Sequence, residues 1–212
     1  MTMTTTISDF PVLDAPPAAP PTASPTASTA GPRTRPLDEA PALAAMAVEL
    51  IRTPTAMVQL SADEARQVVA FMRMVVVPKD TVLFREGDAG SVNTMLLLLE
   101  GQVVVDTGQP GDPQSVEIAV IGPGSIIGEM SLLDGAPRSA RCTAVSTVKA
   151  AGLSRGGLER LIEEHPRVAA KLMVGVAQRI ADRLRSLGQH LLFYSQIAAS
   201  LQAQLAERRN EE

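Results

Sequence analysis

A chain of 212 residues has room for one ordinary domain and appendages. Its 45% hydrophobic content supports a buried core, and four Phe, one Tyr and no Trp make that core aliphatic. A net charge of −4 argues against a surface built throughout to hold nucleic-acid phosphates, and a single cysteine, Cys142, excludes an intrachain disulfide or a cysteine-rich zinc site.

Residues 1–36 carry half of the chain's 16 prolines among Ala, Thr and Ser. Such a stretch cannot repay its ordering entropy, so 1–36 is expected to be a disordered tail, either a tether or inert. No basic patch followed by an apolar run marks a secretory signal, and no apolar run approaches the length of a membrane span; a soluble, reduced, cytoplasmic setting is the expectation. Over 37–59, Ala42, Leu43, Ala47, Leu50 and Ile51 fall at helical spacing, which predicts a docking helix and a linker. Ser61 followed by Glu64 is a capping-box pattern ahead of Ala65, Val68, Val69 and Met72, so a second helix is predicted over about 62–73.

The period then changes. Short β-rich runs at 75–77, 82–84, 95–99, 103–105, 116–121, 142–145 and 148–153 are parted by turn signals such as Pro78-Lys79-Asp80, Glu86-Gly87-Asp88, Glu100-Gly101 and Gly122-Pro123-Gly124. Short strands with close turns predict an antiparallel, jelly-roll-like β-roll over 60–165. Ser154 is placed to cap a helix, and Pro166 suits the first position of another that runs over 166–208. The fold class is therefore α+β, a roll with N-terminal helices and a long C-terminal helix, followed by a tail at 209–212.

Along that helix Met173, Ala177, Ile180, Leu184, Leu187, Leu191, Tyr194, Ala198, Leu201 and Leu205 form an apolar seam. A roll roughly 30 Å across covers about 20 helical residues, which leaves the far half in need of a partner. The prediction is a homodimer through Leu184, Leu187, Leu191, Tyr194, Leu201 and Leu205; packing on the chain's own roll is the alternative. Gly188 weakens the helix by about 1 kcal/mol relative to Ala and is a candidate hinge.

The stretch from Gly122 to Ala140 carries the chemistry. It reads as a glycine-punctuated strand end, one helical turn from Glu129 to Leu133, and a turn that delivers Arg138 to the next strand. Small residues around one arginine suit an anion: glycine lets backbone N–H groups approach a phosphate, and the guanidinium adds charge-assisted bonds of about 1.5 to 3 kcal/mol each. Glu129 only accepts, and so suits a sugar hydroxyl. Placing it beside Arg138 keeps either charge from being buried alone.

These residues resemble the cyclic-nucleotide-binding domain family, shared by catabolite-activator-type regulators, protein kinase A regulatory subunits and cyclic-nucleotide-gated channels. Ile127-Gly128-Glu129-Met130-Ser131-Leu132 and Arg138-Ser139-Ala140 are similar to the family's phosphate-binding cassette. Phe84-Arg85-Glu86-Gly87-Asp88 and Leu99-Glu100-Gly101-Gln102-Val103 are similar to two earlier turns, so the resemblance covers about residues 60–188. It implies that Glu129 takes the ribose 2′-OH and that Arg138 clamps the exocyclic phosphate oxygens. Gly128, Met130, Ser131 and the backbone at Ser139 and Ala140 then complete the cradle. Ser125 stands where the family often has Asp, and Ile127 where it has an aromatic residue, which alters the cassette's support and keeps its ligand-facing pair. The implied ligand is a cyclic nucleotide, cyclic AMP first, with cyclic GMP or a cyclic dinucleotide left open because Ser139 is compatible with either base.

Aligning His165-Pro166 with the relatives' helix start puts Arg183 where a hydroxyl residue reads adenine. Arg183 either stacks on or bonds the base, or is one more solvated cation on a helix that also carries Arg167, Lys171, Arg179 and Arg185. The sequence offers no Ser/His/Asp set, paired-carboxylate pattern or metal spacing, and His165 and His190 read as structural. The expectation is a non-enzymatic sensor without a cofactor, whose ligand alters the dimer helices and the binding of an unidentified protein partner. The sequence to Glu212 leaves no stretch for a helix-turn-helix, so DNA binding is not expected, and the lack of a membrane-length apolar run makes membrane binding unexpected too. The alternatives are a catabolite-activator-type regulator without its own DNA-binding domain, or a degenerate scaffold that no longer binds nucleotide.

Overall fold

In a computed structural model of the chain, the described residues are 33–53, 57–89, 93–107 and 117–210; the expected tail up to residue 32 lies outside them. Arg33–Pro36, expected as the end of that tail, is strand β1, antiparallel to β2 (Arg73–Val77) with Thr34 opposite Val75. Bonding to a free sheet edge needs no apolar side chains, which is why composition alone did not reveal it. Pro36 closes an edge strand, where its missing N–H costs little.

A 3₁₀ turn at Leu37–Glu39 leads into α1 (Pro41–Ile51), which starts on proline, and then α2 (Ala62–Ala70). Ser61 caps α2 reciprocally: its Oγ accepts from Glu64 N at 3.1 Å, while Glu64 Oε2 accepts from Ser61 N at 2.8 Å. The helix stops short of the predicted residue 73 because Arg73 already belongs to the ladder of β2.

The remaining strands are β3 (Val82–Phe84), β4 (Thr94–Glu100), β5 (Val103–Asp106), β6 (Glu117–Ile121), β7 (Ile126–Ile127), β8 (Arg141–Ala144) and β9 (Val148–Ser154). Every pairing among the described residues is antiparallel, in a five-stranded sheet ordered β1-β2-β9-β4-β7 and a four-stranded sheet ordered β3-β8-β5-β6. Alternate residues of β4 feed two cores. Met95, Leu97 and Leu99 pack against the helices, whereas Leu96 and Leu98 pack between the sheets with Val75, Val103 and Ala150. A strand buried on both faces reads as an unbroken apolar run, which is how 95–99 stands in the sequence.

α3 (Glu129–Asp134) lies between β7 and β8, and α4 (Arg155–Glu164) follows β9, capped by Ser154 Oγ on Gly157 N at 3.2 Å. α5 (Pro166–Asn210) is one helix that runs through Gly188 without a break. Its first part is seated in the helix-side core by Val168, Ala169, Leu172 and Val176, and Lys171 Nζ meets Glu64 Oε1 of α2 at 2.5 Å. Beyond Arg183 the helix leaves the roll, so Leu184, Leu187, Leu191, Tyr194 and Leu201 are exposed; the side chain of Leu205 lies outside those described. No helix among the described residues is long and apolar enough to cross a membrane.

Candidate functional site

Gly128 follows β7 with φ +74°, a left-handed backbone that favours glycine. A Cβ there would collide with Arg138 Nη1 and lie 2.8 Å from Thr94 O. The missing side chain lets the arginine through: Nη1 of Arg138 donates to Gly128 O at 2.9 Å and Nη2 donates to Thr94 O at 3.0 Å. The guanidinium carbon also sits 3.9 Å from the centre of the Phe84 ring. Burial pulls this guanidinium below the usual arginine range, and the neighbouring Cys142, Glu129 and Asp88 act the other way. It stays a cation at any physiological pH.

The main chain at Arg138 is held from far upstream. Arg138 N donates to Asp88 O at 3.0 Å, and Gly87 N donates to Arg138 O at 2.8 Å. The Glu86-Gly87-Asp88 turn thus serves to place the arginine, and β3 just before it supplies the ring on which the guanidinium rests.

Glu129 opens α3 and is 5% exposed. Its Oε1 accepts from Arg183 Nη1 of α5 at 3.1 Å, while Arg183 Nη2 donates to Ile126 O at 3.2 Å. The direct ion pair of Glu129 is therefore with Arg183, whereas Arg138, whose fork donates to two carbonyls, interacts with the carboxylate through space. Four residues earlier on α5, Arg179 donates to Gly124 O and to Leu50 O, each at 3.2 Å, and burial lowers its pKa. Read from the sequence as one of several charges along the helix, Arg179 ties α1, the turn at 122–124 and α5 together.

Every residue selected from the sequence lines one hollow: Gly128, Glu129, Met130, Ser131, Arg138, Ser139, Ala140 and Arg183. Its volume is about 60 Å³, and Phe84, Val105, Ile127 and Cys142 complete the lining. Ser131 is buried, whereas Met130 and Ser139 are exposed and touch through Ser139 Oγ and Met130 Sδ at 3.8 Å. Two guanidinium groups against one carboxylate leave this lining with one positive charge. Burial pushes the Cys142 thiol up to about 11, which makes it a protonated apolar wall and a poor nucleophile. Phe84 and Thr94 were not singled out in the sequence as contacts of Arg138. Phe84 was findable from strand pairing, since it stands opposite Cys142 in the β3–β8 register, but Thr94 acts through its carbonyl and leaves no side-chain signal.

An antiparallel roll of two sheets, with a one-turn helix and an arginine between β7 and β8 and a long helix behind them, is the architecture of cyclic-nucleotide-binding domains. The family model described as Cyclic nucleotide-binding domain matches residues 74–165, and the chain belongs to this family. A solved cyclic nucleotide-binding domain from Methylobacillus flagellatus is 34% identical, with 68% of this chain and 79% of that one covered and a TM-score of 0.62. A CRP-like cAMP-activated global transcriptional regulator of Mycobacterium tuberculosis is 23% identical over 130 residues, 61% of this chain and 56% of that protein. A cyclic nucleotide-gated potassium channel of Mesorhizobium japonicum is 35% identical over 103 residues, 49% of this chain and 26% of that protein. The chain thus spans little more than half of the regulator and about a quarter of the channel. The shared part is a cyclic nucleotide-binding regulatory domain, in a family that is usually non-enzymatic.

Proposed function

We propose that this domain is a sensor that takes a cyclic nucleotide, cyclic AMP first, into the hollow between Arg138 and Glu129 and passes its occupancy to the long helices of a homodimer. One observation carries the reading: an arginine whose main chain is held on both sides projects into a hollow whose lining has one excess positive charge. That charge suits the single negative charge of a ring-closed phosphodiester. Arg138 exchanges its two carbonyls for two phosphate oxygens, and Glu129 accepts from the ribose 2′-OH. Gly128, Met130, Ser131 and the backbone of Ser139 and Ala140 wall the phosphate and sugar. No step makes or breaks a covalent bond, so the role is regulatory. The names of the regulator and the channel, activated by cAMP and gated by cyclic nucleotide, support the ligand class.

The dimer rests on α5. Among the exposed apolar residues of its far half, Leu184, Leu187, Leu191, Tyr194, Ala198 and Leu201 fall at alternating three- and four-residue steps, the period of a two-helix seam, so a second copy of the same helix is the natural occupant. The downstream partner is a protein that reads the ends of these helices.

A second reading, a scaffold that holds no nucleotide, is favoured by the small volume of the hollow and by the engagement of Glu129 with Arg183. Calorimetric titration with cyclic AMP, cyclic GMP and a cyclic dinucleotide separates the two. The sensor reading expects micromolar binding of one of them, weakened at least ~100-fold in Arg138→Ala, since two charge-assisted bonds at about 1.5 to 3 kcal/mol each are lost. No heat from any of the three would leave the scaffold standing.

A further inference from the structure

Eight of the sixteen large apolar side chains that are exposed among the described residues belong to α5 between Leu184 and Leu201. The seam uses five of them, and Leu192, Phe193 and Ile197 lie off it. Charge is distributed as unevenly. Residues 166–185 hold Arg167, Lys171, Arg179, Asp182, Arg183 and Arg185, whereas no Asp, Glu, Lys or Arg stands from Ser186 to Ala206. A two-helix seam buries one stripe and leaves the flanks of each helix in water, where charged side chains are the rule. Uncharged flanks that also expose Phe193 by 60% and Ile197 by 41% require a second cover.

The pattern on one flank says what that cover is. Asp182, Ser186, Phe193, Ile197, Gln204 and Arg208 follow one another at steps of four, seven, four, seven and four residues, so they share a stripe. It lies roughly 110° round the helix from the seam, at about 100° per residue. All six are exposed. The order of steps reads the same from either end, and its midpoint is Ser195. A two-fold axis crossing the helix at that level therefore sets Phe193 of one copy opposite Ile197 of another, Ser186 opposite Gln204, and Asp182 opposite Arg208. Apolar meets apolar, a hydroxyl meets an amide, and an acid meets a base, as a self-complementary contact between identical surfaces demands. Asp182 already accepts from Arg185 Nη1 of its own helix at 2.7 Å, and a carboxylate has acceptor sites for a further donor. Residues 182 and 208 stand about 40 Å apart along the helix, more than the roughly 30 Å of a roll, so the antiparallel arrangement leaves the rolls at opposite ends.

We infer that this stripe is a second interface, through which the long helix of one dimer docks antiparallel on the long helix of another. The inference takes from the sensor reading only the seam and makes no use of the nucleotide hollow. A two-fold seam presents the stripe on opposite sides of the dimer, so one dimer accepts two others and the mass goes on rising with concentration.

Sedimentation of the full chain over rising concentration tests it, and the wild type is expected to pass beyond the dimer. Phe193→Ser with Ile197→Ser should stop at the dimer, with the further step weakened at least ~100-fold, since the two-fold axis doubles each loss. Asp182→Arg and Arg208→Asp should each weaken that step about three- to tenfold, and the two together should restore it. The positions are too far apart to meet within one helix, so restoration comes from a second copy. A wild type that remains a dimer at every concentration, or a double exchange weaker than both single ones, overturns the inference. Flotation with phosphatidylcholine vesicles and no species above the dimer would assign the stripe to a membrane surface and overturn it equally. If the Phe193 and Ile197 variant is a monomer while Leu187→Ser with Leu191→Ser leaves the mass unchanged, the stripe stands and the seam alone fails.

Discussion

Arg138 reaches the carbonyls of Gly128 and Thr94 because residue 128 has no side chain. In Gly128→Ala the left-handed backbone alone costs about 1 to 2 kcal/mol, and the methyl group displaces the guanidinium besides. Urea unfolding should therefore shift to a lower midpoint while cyclic AMP affinity falls, and a variant that loses stability alone would show that the arginine has another route to its position. At this scale the sequence was informative wherever chemistry and spacing are local. Gly128, Glu129 and Arg138 stand out by their order within a short stretch. The partner of Glu129 did not, because Arg183 is 54 residues away and only the direction in which α5 crosses α3 brings it there.

Elements were legible in proportion to their side-chain pattern. The capping box at Ser61 and Glu64, the apolar run of β4 and the change of period after Ser154 all predicted their elements to within a few residues. β1 has no such pattern and is held by the edge of β2, so it was missed. The α2–α5 contact adds a pH dependence. The hydrogen bond from Lys171, with that from Ser61 N, holds the Glu64 carboxyl below the ordinary glutamate value near 4.5. A lowered folded-state pKa contributes stability that is complete above that ordinary value and is lost as the pH falls through the folded one. Urea denaturation should therefore separate wild type from Lys171→Met at about pH 6, and the gap should narrow as the pH falls below about 4.5. A gap that does not change with pH would show that Lys171 acts by packing its stem.

For the molecule as a whole, α5 is half foundation and half projection. Leu187 and Leu191 are exposed and belong to neither core of their own roll, so Leu187→Ser with Leu191→Ser should leave the unfolding of the roll unchanged. Sedimentation should nonetheless show the dimer weakened at least ~100-fold, since each leucine contributes about 1.5 to 3 kcal/mol when buried. A wild type that sediments as a monomer at all concentrations would remove the seam's role. The apolar period runs on unchanged while the neighbouring surface ends, so the place at which the helix departs was legible only from length, about 20 helical residues for a roll roughly 30 Å across. The clasp of Arg138 by Gly87 and Asp88 has a consequence for how such a domain can vary. Because the arginine is anchored from upstream and not by the segment leading into it, residues 134–137, all exposed, are free to change in number. Extra residues spliced in beside Ala136 would bulge into solvent and leave the guanidinium where it is, whereas one residue gained or lost between β3 and Asp88 would carry it away.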